Sequence, residues 1–283
     1  MISNGRERFV SKPYPVITTV GPEPEVICRE LPEAVFDYPF FNEGVTSVGG
    51  GERFSLDSWS GEEEESLEIS GFIFGVSHCG STLLSRQLNQ LDTVRVVSEP
   101  EAINGLLLSK VLYALDDQSV ADQLKNIVRM YRQAEGGKRH LVVKLTSWNI
   151  FLMPIFRRAF PGVRWIFLDR ETESLLASLQ RSDGGFIDWW NHPTPLTPRA
   201  FLGEGADFAD KEAYLRAMVL GHREQARIHQ DSTALFLQYP EFLHQFDAIL
   251  RHLGLAASPD EMARAKATLR YDAKSMKRLP WKG

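Results

Sequence analysis

The sequence predicts an α/β fold in three layers, with a mostly parallel central sheet and an irregular N-terminal extension. Three observations carry that prediction. Short continuous apolar runs, such as Gly71–Val76 (Gly-Phe-Ile-Phe-Gly-Val), have the length and composition of strands buried on both faces. Amphipathic stretches with helical spacing alternate with these runs, as βαβ units require. The first 70 residues lack this rhythm and are rich in Pro, Gly, Glu and Ser.

Taken in order, residues 1–70 show turn signals at Gly21-Pro22, Gly49-Gly50-Gly51 and Ser60-Gly61, with β-like runs at Val16–Val20 and Glu25–Cys28 between them. Glu62–Glu65 reads as a solvated loop. The chain therefore divides into a loop-and-strand extension over 1–70 and an α/β domain over 71–283. After the strand at Gly71, Leu84, Leu88 and Leu91 mark a helix, and Val94–Val97 a second strand. Ser119 and Asp122 have the spacing of a capping box ahead of a helix whose face carries Val120, Leu124, Ile127, Val128 and Tyr131. His140–Leu145 is a strand, 149–160 a helix, Val163–Leu168 a strand and Thr172–Gln180 a helix. Tyr214–Ile228 is a long helix and Thr233–Gln238 the last strand. Ser258-Pro259 with Glu261 opens a closing helix. In such sheets ligands bind beyond the carboxyl ends of the strands, so the loops after Val76, Val97, Lys144 and Leu168 should converge.

Composition narrows the function. Of 283 residues, 43% are hydrophobic, enough for a sizeable core. A formal charge of −5 argues against a nucleic-acid coat protein, while leaving room for a local basic pocket. Two cysteines, Cys28 and Cys79, cannot form a disulfide framework, and no Cys/His spacing suggests a metal site. No apolar run nears the roughly 18 residues of a membrane span, and the N-terminus has no apolar core of a secretory signal, so the expected location is cytoplasmic.

The chemistry concentrates in Gly75–Thr82 (Gly-Val-Ser-His-Cys-Gly-Ser-Thr), between a buried strand and a helix. The spacing of Gly75 and Gly80 is that of a phosphate-binding loop, with Ser81 where a Walker loop has Lys. Backbone N–H groups of Ser77, His78, Cys79, Gly80, Ser81 and Thr82 can face one anion, aided by the helix N-terminus and the hydroxyls of Ser81 and Thr82. An ordinary βα turn of small residues would read similarly; the strand–loop–helix context favours the anion. Arg170 ends an apolar strand and Ser178 follows eight residues later on a helix, so the two can meet at a second phosphate; a surface ion pair with Glu171 or Glu173 is the plainer alternative. Cys79, near a helix N-terminus, is either a reactive thiol or a small filler.

In this ordered set the chain resembles the sulfotransferases that use 3′-phosphoadenosine 5′-phosphosulfate (PAPS). Phe74–Leu83 is similar to the family's 5′-phosphosulfate loop, and Arg170 with Ser178 to its 3′-phosphate motif. Val142-Val143-Lys144, Phe160–Ile166 and Leu237–Leu243 resemble further family segments, and the resemblance spans 71–255. It implies PAPS as donor, 3′-phosphoadenosine 5′-phosphate (PAP) as product, no metal, and a small-molecule or peptide acceptor with a hydroxyl or amine. It also implies Tyr239 near the adenine, Lys144 near the transferred group and Glu99 as catalytic base, with Glu101 in reserve. Glu99 matches the tyrosylprotein branch; the cytosolic small-molecule branch has a catalytic His where this chain has Thr146, so the bacterial and tyrosylprotein branch is the closer likeness. One departure stands out. His78 occupies the place of a family Lys or Arg that supports the leaving phosphate, and only an imidazolium would bring charge there. A nucleoside-triphosphate-dependent phosphotransferase with Asp169 on Mg²⁺, and a catalytically silent nucleotide-binding protein, are the competing readings.

Of the remaining candidates, His222 and His229 read as structural or surface residues. Trp189 and Trp190 form either an acceptor wall or an anchoring plug. Lys274, Lys277, Arg278 and Lys282 make a basic tail that either closes over the nucleotide or is solvated.

Overall fold

The computed structural model describes residues 13–46, 48–56, 66–191, 196–203, 206–273, 275 and 277. The acidic run Glu62–Glu65 and the basic residues Lys274, Arg278 and Lys282 lie outside them.

The N-terminal extension forms an antiparallel sheet of β1 (Tyr14–Thr18), β2 (Glu25–Arg29) and β3 (Glu52–Ser55). A 3₁₀ turn (Glu33–Asp37) and the short helix α1 (Phe41–Val45) cross between β2 and β3. Then β4 (Glu68–Gly75), α2 (Ser81–Leu88), β5 (Val94–Ser98), α3 (Glu101–Tyr113) and α4 (Asp117–Tyr131) follow. Next come β6 (His140–Lys144), a 3₁₀ turn (Ser147–Leu152), α5 (Met153–Ala159), β7 (Trp165–Arg170) and α6 (Thr172–Gln180). The chain closes with a 3₁₀ segment (Gly185–Asn191), α7 (Leu196–Leu202), α8 (Lys211–Ile228), β8 (Ala234–Tyr239), α9 (Phe246–Leu253) and α10 (Pro259–Ala267).

Strands β4 to β8 form one parallel sheet in the order β5-β6-β4-β7-β8. The chain leaves β4 toward one edge and later crosses to the other, so the strand order reverses at β4, where an α/β sheet opens its crevice. The inner strands are buried along nearly their whole length, which is why they read as continuous apolar runs rather than alternating ones. Register fixes two pairings at the carboxyl edge. Ser98 lies opposite Lys144, and Arg170 opposite Tyr239.

Local departures from the sequence expectations have plain causes. The expected Ser119/Asp122 capping box is not the start of α4: Asp116 is the N-cap, its carboxylate accepting from the backbone N–H of Gln118 and Ser119. A free carboxylate one turn earlier captures the first amides before the hydroxyl can. The 149–160 helix begins as a 3₁₀ turn and becomes α-helical only at Met153, where Pro154 falls in the first turn and needs no hydrogen-bond partner. Ser258 and Glu261 do form the anticipated capping box of α10. No helix among the described residues is long and apolar enough to cross a membrane.

Extension and domain are joined by Arg95, a fully buried residue of β5. Its guanidinium takes the Glu33 carboxylate in a fork (3.2 and 2.7 Å). It also donates to the carbonyls of Tyr131 and Gln133 at 3.0 and 2.6 Å, and lies 4.7 Å from the centroid of the Phe36 ring. Arg95→Met should lower stability by about 3 kcal/mol or more, since two buried carbonyls and a carboxylate lose their partner. A urea midpoint equal to wild type would refute this role.

His222 of α8 is a core residue, as expected. It packs against the rings of Phe151 and Phe186, and its Nδ1–H donates to the Met218 carbonyl. Burial pushes its pKa down to about 4. Between pH 6.5 and 4 the unfolded chain therefore binds a proton that the folded chain does not, and stability falls as pH falls through that window. The loss attributable to this residue should approach about 3 kcal/mol. His222→Leu should flatten the dependence over the same window in pH-resolved denaturant titrations; an unchanged slope would remove His222 as the source.

Candidate functional site

The loop after β4 turns sharply because two of its residues adopt left-handed backbone, His78 (φ 61°) and Gly80 (φ 90°). At Gly80 a side chain is excluded twice over, by the dihedral angle and by Tyr239, 2.9 Å from where a Cβ would sit. Gly80 directly precedes α2, so the first N–H groups of that helix open at the loop without intrahelical acceptors. Ser77 Oγ is hydrogen-bonded to Ser147 Oγ at 2.9 Å, tying the loop to the segment after β6.

Glu99 follows β5 immediately and is also left-handed, with φ 53°. Its backbone N–H donates to the Lys144 carbonyl at 2.7 Å, and its carboxylate forms an ion pair with the Lys144 ammonium. Lys144 also donates to Thr82 Oγ1 at 3.4 Å, and its Nζ lies 4.9 Å from the centroid of the Phe40 ring. Strained backbone at a non-glycine residue persists only where its surroundings fix it. Here the adjacent strand register does so.

On the other side of the loop, Arg170 and Ser178 both reach His78. Arg170 Nη1 donates to the His78 carbonyl at 3.2 Å, and Ser178 Oγ is 2.7 Å from His78 Nδ1. The Arg170 guanidinium lies 5.1 Å from the Tyr239 ring centroid and donates to Ser174 Oγ. Glu171 and Glu173, the plausible surface partners, are otherwise engaged: Glu171 caps α6 and Glu173 pairs with Arg216.

These residues line one cavity of about 700 Å³, within the size range of small-molecule sites. Ser77, His78, Gly80, Ser81, Thr82, Glu99, Thr146, Arg170, Ser178 and Tyr239 all contribute to its wall. Among the described residues no three His, Cys, Asp or Glu side chains are grouped as a metal site.

The structure decides between the two readings of Cys79 and of Trp189, and corrects the expectations for Lys144 and Glu101. Cys79 does not face the cavity: its thiol is fully buried and desolvation pushes its pKa up to about 11, outweighing the neighbouring N–H groups. Only its backbone can serve a ligand. Lys144 is 1% exposed and lies behind the wall, not in it, because Glu99, Thr82 and Phe40 enclose its ammonium. Trp189 is a plug, packed 5.7 Å from Trp148 and 5.9 Å from Phe201; its near neighbours Phe186 and Ile187 line the cavity in its place. Glu101, the reserve base, opens α3 and does not line the cavity.

Other wall residues had no signal in the sequence. Phe40 comes from the extension, and Leu269, Tyr271 and Asp272 from the segment after α10. Arg223 of α8 holds Asp169 with two bonds of 2.8 and 3.0 Å and also donates to the Arg170 carbonyl at 2.7 Å. A basic residue mid-helix gives no hint of such a distant partner.

No family model matches the chain, and no curated protein does. Among solved structures it is similar to the sulfotransferase STF9 of Mycobacterium avium, at 13% identity over 74% of this chain and 68% of that one, with a TM-score of 0.48. It is similar to a sulfotransferase of Alicyclobacillus acidocaldarius at 15% identity over 72% of this chain and 94% of that one, TM-score 0.42. It is also similar to mouse sulfotransferase SULT7A1, solved in complex with PAP, at 14% identity over 76% and 66% of the two chains, TM-score 0.41. Likenesses this distant carry no functional argument, and the chemistry is drawn from the chain's own residues.

Burial also pushes the Cys28 thiol up, to about 12. Neither cysteine should therefore react with a thiol reagent at pH 8 in the native protein, and both should react in denaturant. Rapid native-state labelling of Cys79 would restore the reactive-thiol assignment.

Proposed function

We propose that this chain is a sulfotransferase-like enzyme that moves a sulfuryl group from PAPS to a hydroxyl or amine of a small-molecule or peptide acceptor. One observation carries the reading: a single cavity places an anion-binding loop between a carboxylate, Glu99, and a second cationic corner, Arg170 with Ser178. A 3′,5′-bisphosphorylated nucleotide has two anionic ends that need two such corners. The cavity fits it. The loop side offers open helix N–H groups and hydroxyls, and Arg170 presents a permanent charge beside an aromatic ring.

In the proposed site, the N–H groups of residues 77–82 and the hydroxyls of Ser81 and Thr82 hold the 5′-phosphosulfate. Arg170 and Ser178 hold the 3′-phosphate, and Tyr239 lies beside the base. When bound, the donor supplies an activated sulfuryl group. Glu99 takes the proton from the attacking hydroxyl or amine, the work of a positioned carboxylate in the cavity wall. His78, at the loop's turn, donates to the charge that develops on the leaving phosphate. Positioning and fixed dipoles carry the remaining electrostatics. The phosphotransferase reading is weaker: Asp169, its candidate Mg²⁺ ligand, is held by Arg223 and does not face the cavity.

Calorimetric titration with PAP, and with the analogue lacking the 3′-phosphate, tests the nucleotide assignment. PAP should bind, Arg170→Ala should weaken it at least tenfold, and the analogue should bind as weakly to wild type as PAP does to that variant. Glu99→Gln should lower PAPS turnover about 100-fold or more while leaving PAP affinity within twofold. No heat with millimolar PAP, or equal affinity for both nucleotides, would sink the reading. PAP binding without turnover that depends on Glu99 would leave a silent nucleotide-binding protein.

A further inference from the structure

A lysine ammonium has three N–H bonds to place, and buried charge is costly when any is left unmatched. Lys144 is 1% exposed, and three partners surround its Nζ: the Glu99 carboxylate, Thr82 Oγ1 at 3.4 Å, and the Phe40 ring, 4.9 Å to the centroid. That distance is within the range of cation–π attraction, which strengthens when the cation is desolvated. Lys144 itself does not line the cavity. Its links to the cavity run through Glu99 and Thr82, which do line it, and Glu99 is the charged one of the two.

Phe40 is the member of this set that the α/β domain does not supply. It stands at the start of α1, half-buried, with its side chain in the cavity wall. Its position is fixed from both sides. Ahead of it, Asn89 at the end of α2 donates to the Phe36 carbonyl at 2.9 Å and to Asp37 Oδ1 at 3.0 Å, and Arg95 grips Glu33. Behind it, Phe41 is buried, stacked on Phe36 at 5.4 Å and set edge-on to Tyr131 at 5.5 Å. These contacts hold the chain on both sides of the ring to the α/β domain.

We infer that Phe40 is a positioning residue for the proposed reaction: its ring face holds the Lys144 ammonium, and Lys144 in turn aims the Glu99 carboxylate into the cavity. The N-terminal extension is then a working part of the site. The kinetic consequence rests on the sulfuryl-transfer reading, whereas the placement of Lys144 does not.

Two variants separate the ring face from mere bulk. Phe40→Leu keeps an apolar side chain and loses the π face; Phe40→Tyr keeps both. With PAPS, the best acceptor from a panel of phenols, alcohols, amines and peptides, and PAP release as the readout, Phe40→Leu should lower kcat about tenfold, the scale of a partly desolvated cation–π contact. The KM for PAPS and the affinity for PAP should stay within twofold, and Phe40→Tyr should restore kcat to within about threefold. In protein labelled with [13Cε]-lysine, the Lys144 Hε resonance, assigned through Lys144→Arg, should lie upfield from ring-current shielding. It should keep that shift in Phe40→Tyr and lose it in Phe40→Leu.

An unshifted Lys144 resonance in wild type would overturn the proposal. So would wild-type kcat in Phe40→Leu, an equal fall in both variants, or a loss of PAP affinity in Phe40→Leu matching its loss of turnover. Wild-type protein that neither binds PAP nor turns over PAPS would sink the sulfuryl reading instead. The shielding and its loss in Phe40→Leu would then still decide whether the ring places Lys144.

Discussion

Everything in the site is measured from the point where β4 ends against β7. The last residue of β4, Gly75, lies so close to its neighbour that a Cβ would come within 2.6 Å of the Leu168 carbonyl and 2.9 Å of Cys79 Sγ. The next amide, that of Val76, donates to the same Leu168 carbonyl at 3.0 Å. The loop is therefore folded back over its own strand before the helix begins, and Cys79 fills the space beneath it. Cys79 is the packing that supports the turn, and desolvation outweighs the nearby dipoles and pushes its thiol pKa up.

From that origin the parallel register distributes the functional groups. Pairing of β5 with β6 sets Ser98 opposite Lys144, so the residue after Ser98 meets the lysine. Pairing of β7 with β8 sets Arg170 opposite Tyr239 and stacks a cation beside a ring. The loop between these pairs gathers both sides, through Thr82 to Lys144 and through His78 to Arg170 and Ser178. Charge organises the second tier: Arg223 ties Asp169 and the end of β7 to α8, and the Asp169 carboxylate stays out of the cavity wall. Arg95 does comparable work for the extension, and through it for Phe40.

The sequence was most legible where physics is local. Strands buried on both faces announce themselves as apolar runs, so β4, β6 and β7 were recognisable, as was the small-residue turn between β4 and α2. Arg170 and Ser178 could be singled out by their places at a strand end and on the helix that follows, whereas Glu99 and Tyr239 were marked only by the family resemblance. Local signals also misled where a competing local group was stronger. Asp116 took the cap that Ser119 suggested, since an ionised carboxylate accepts more strongly than a hydroxyl.

Alternation, length and turn chemistry thus determined the parallel sheet and the small-residue loop between β4 and α2, because each depends on neighbours within a few positions of the chain. Only the tertiary structure decided that Lys144 lies behind the wall rather than in it, that Trp189 packs against the core while Phe186 lines the cavity, and that Phe40 of the extension joins the cavity wall. Those outcomes depend on which surfaces, far apart in sequence, exclude water from one another, and no pattern within a single segment encodes that choice.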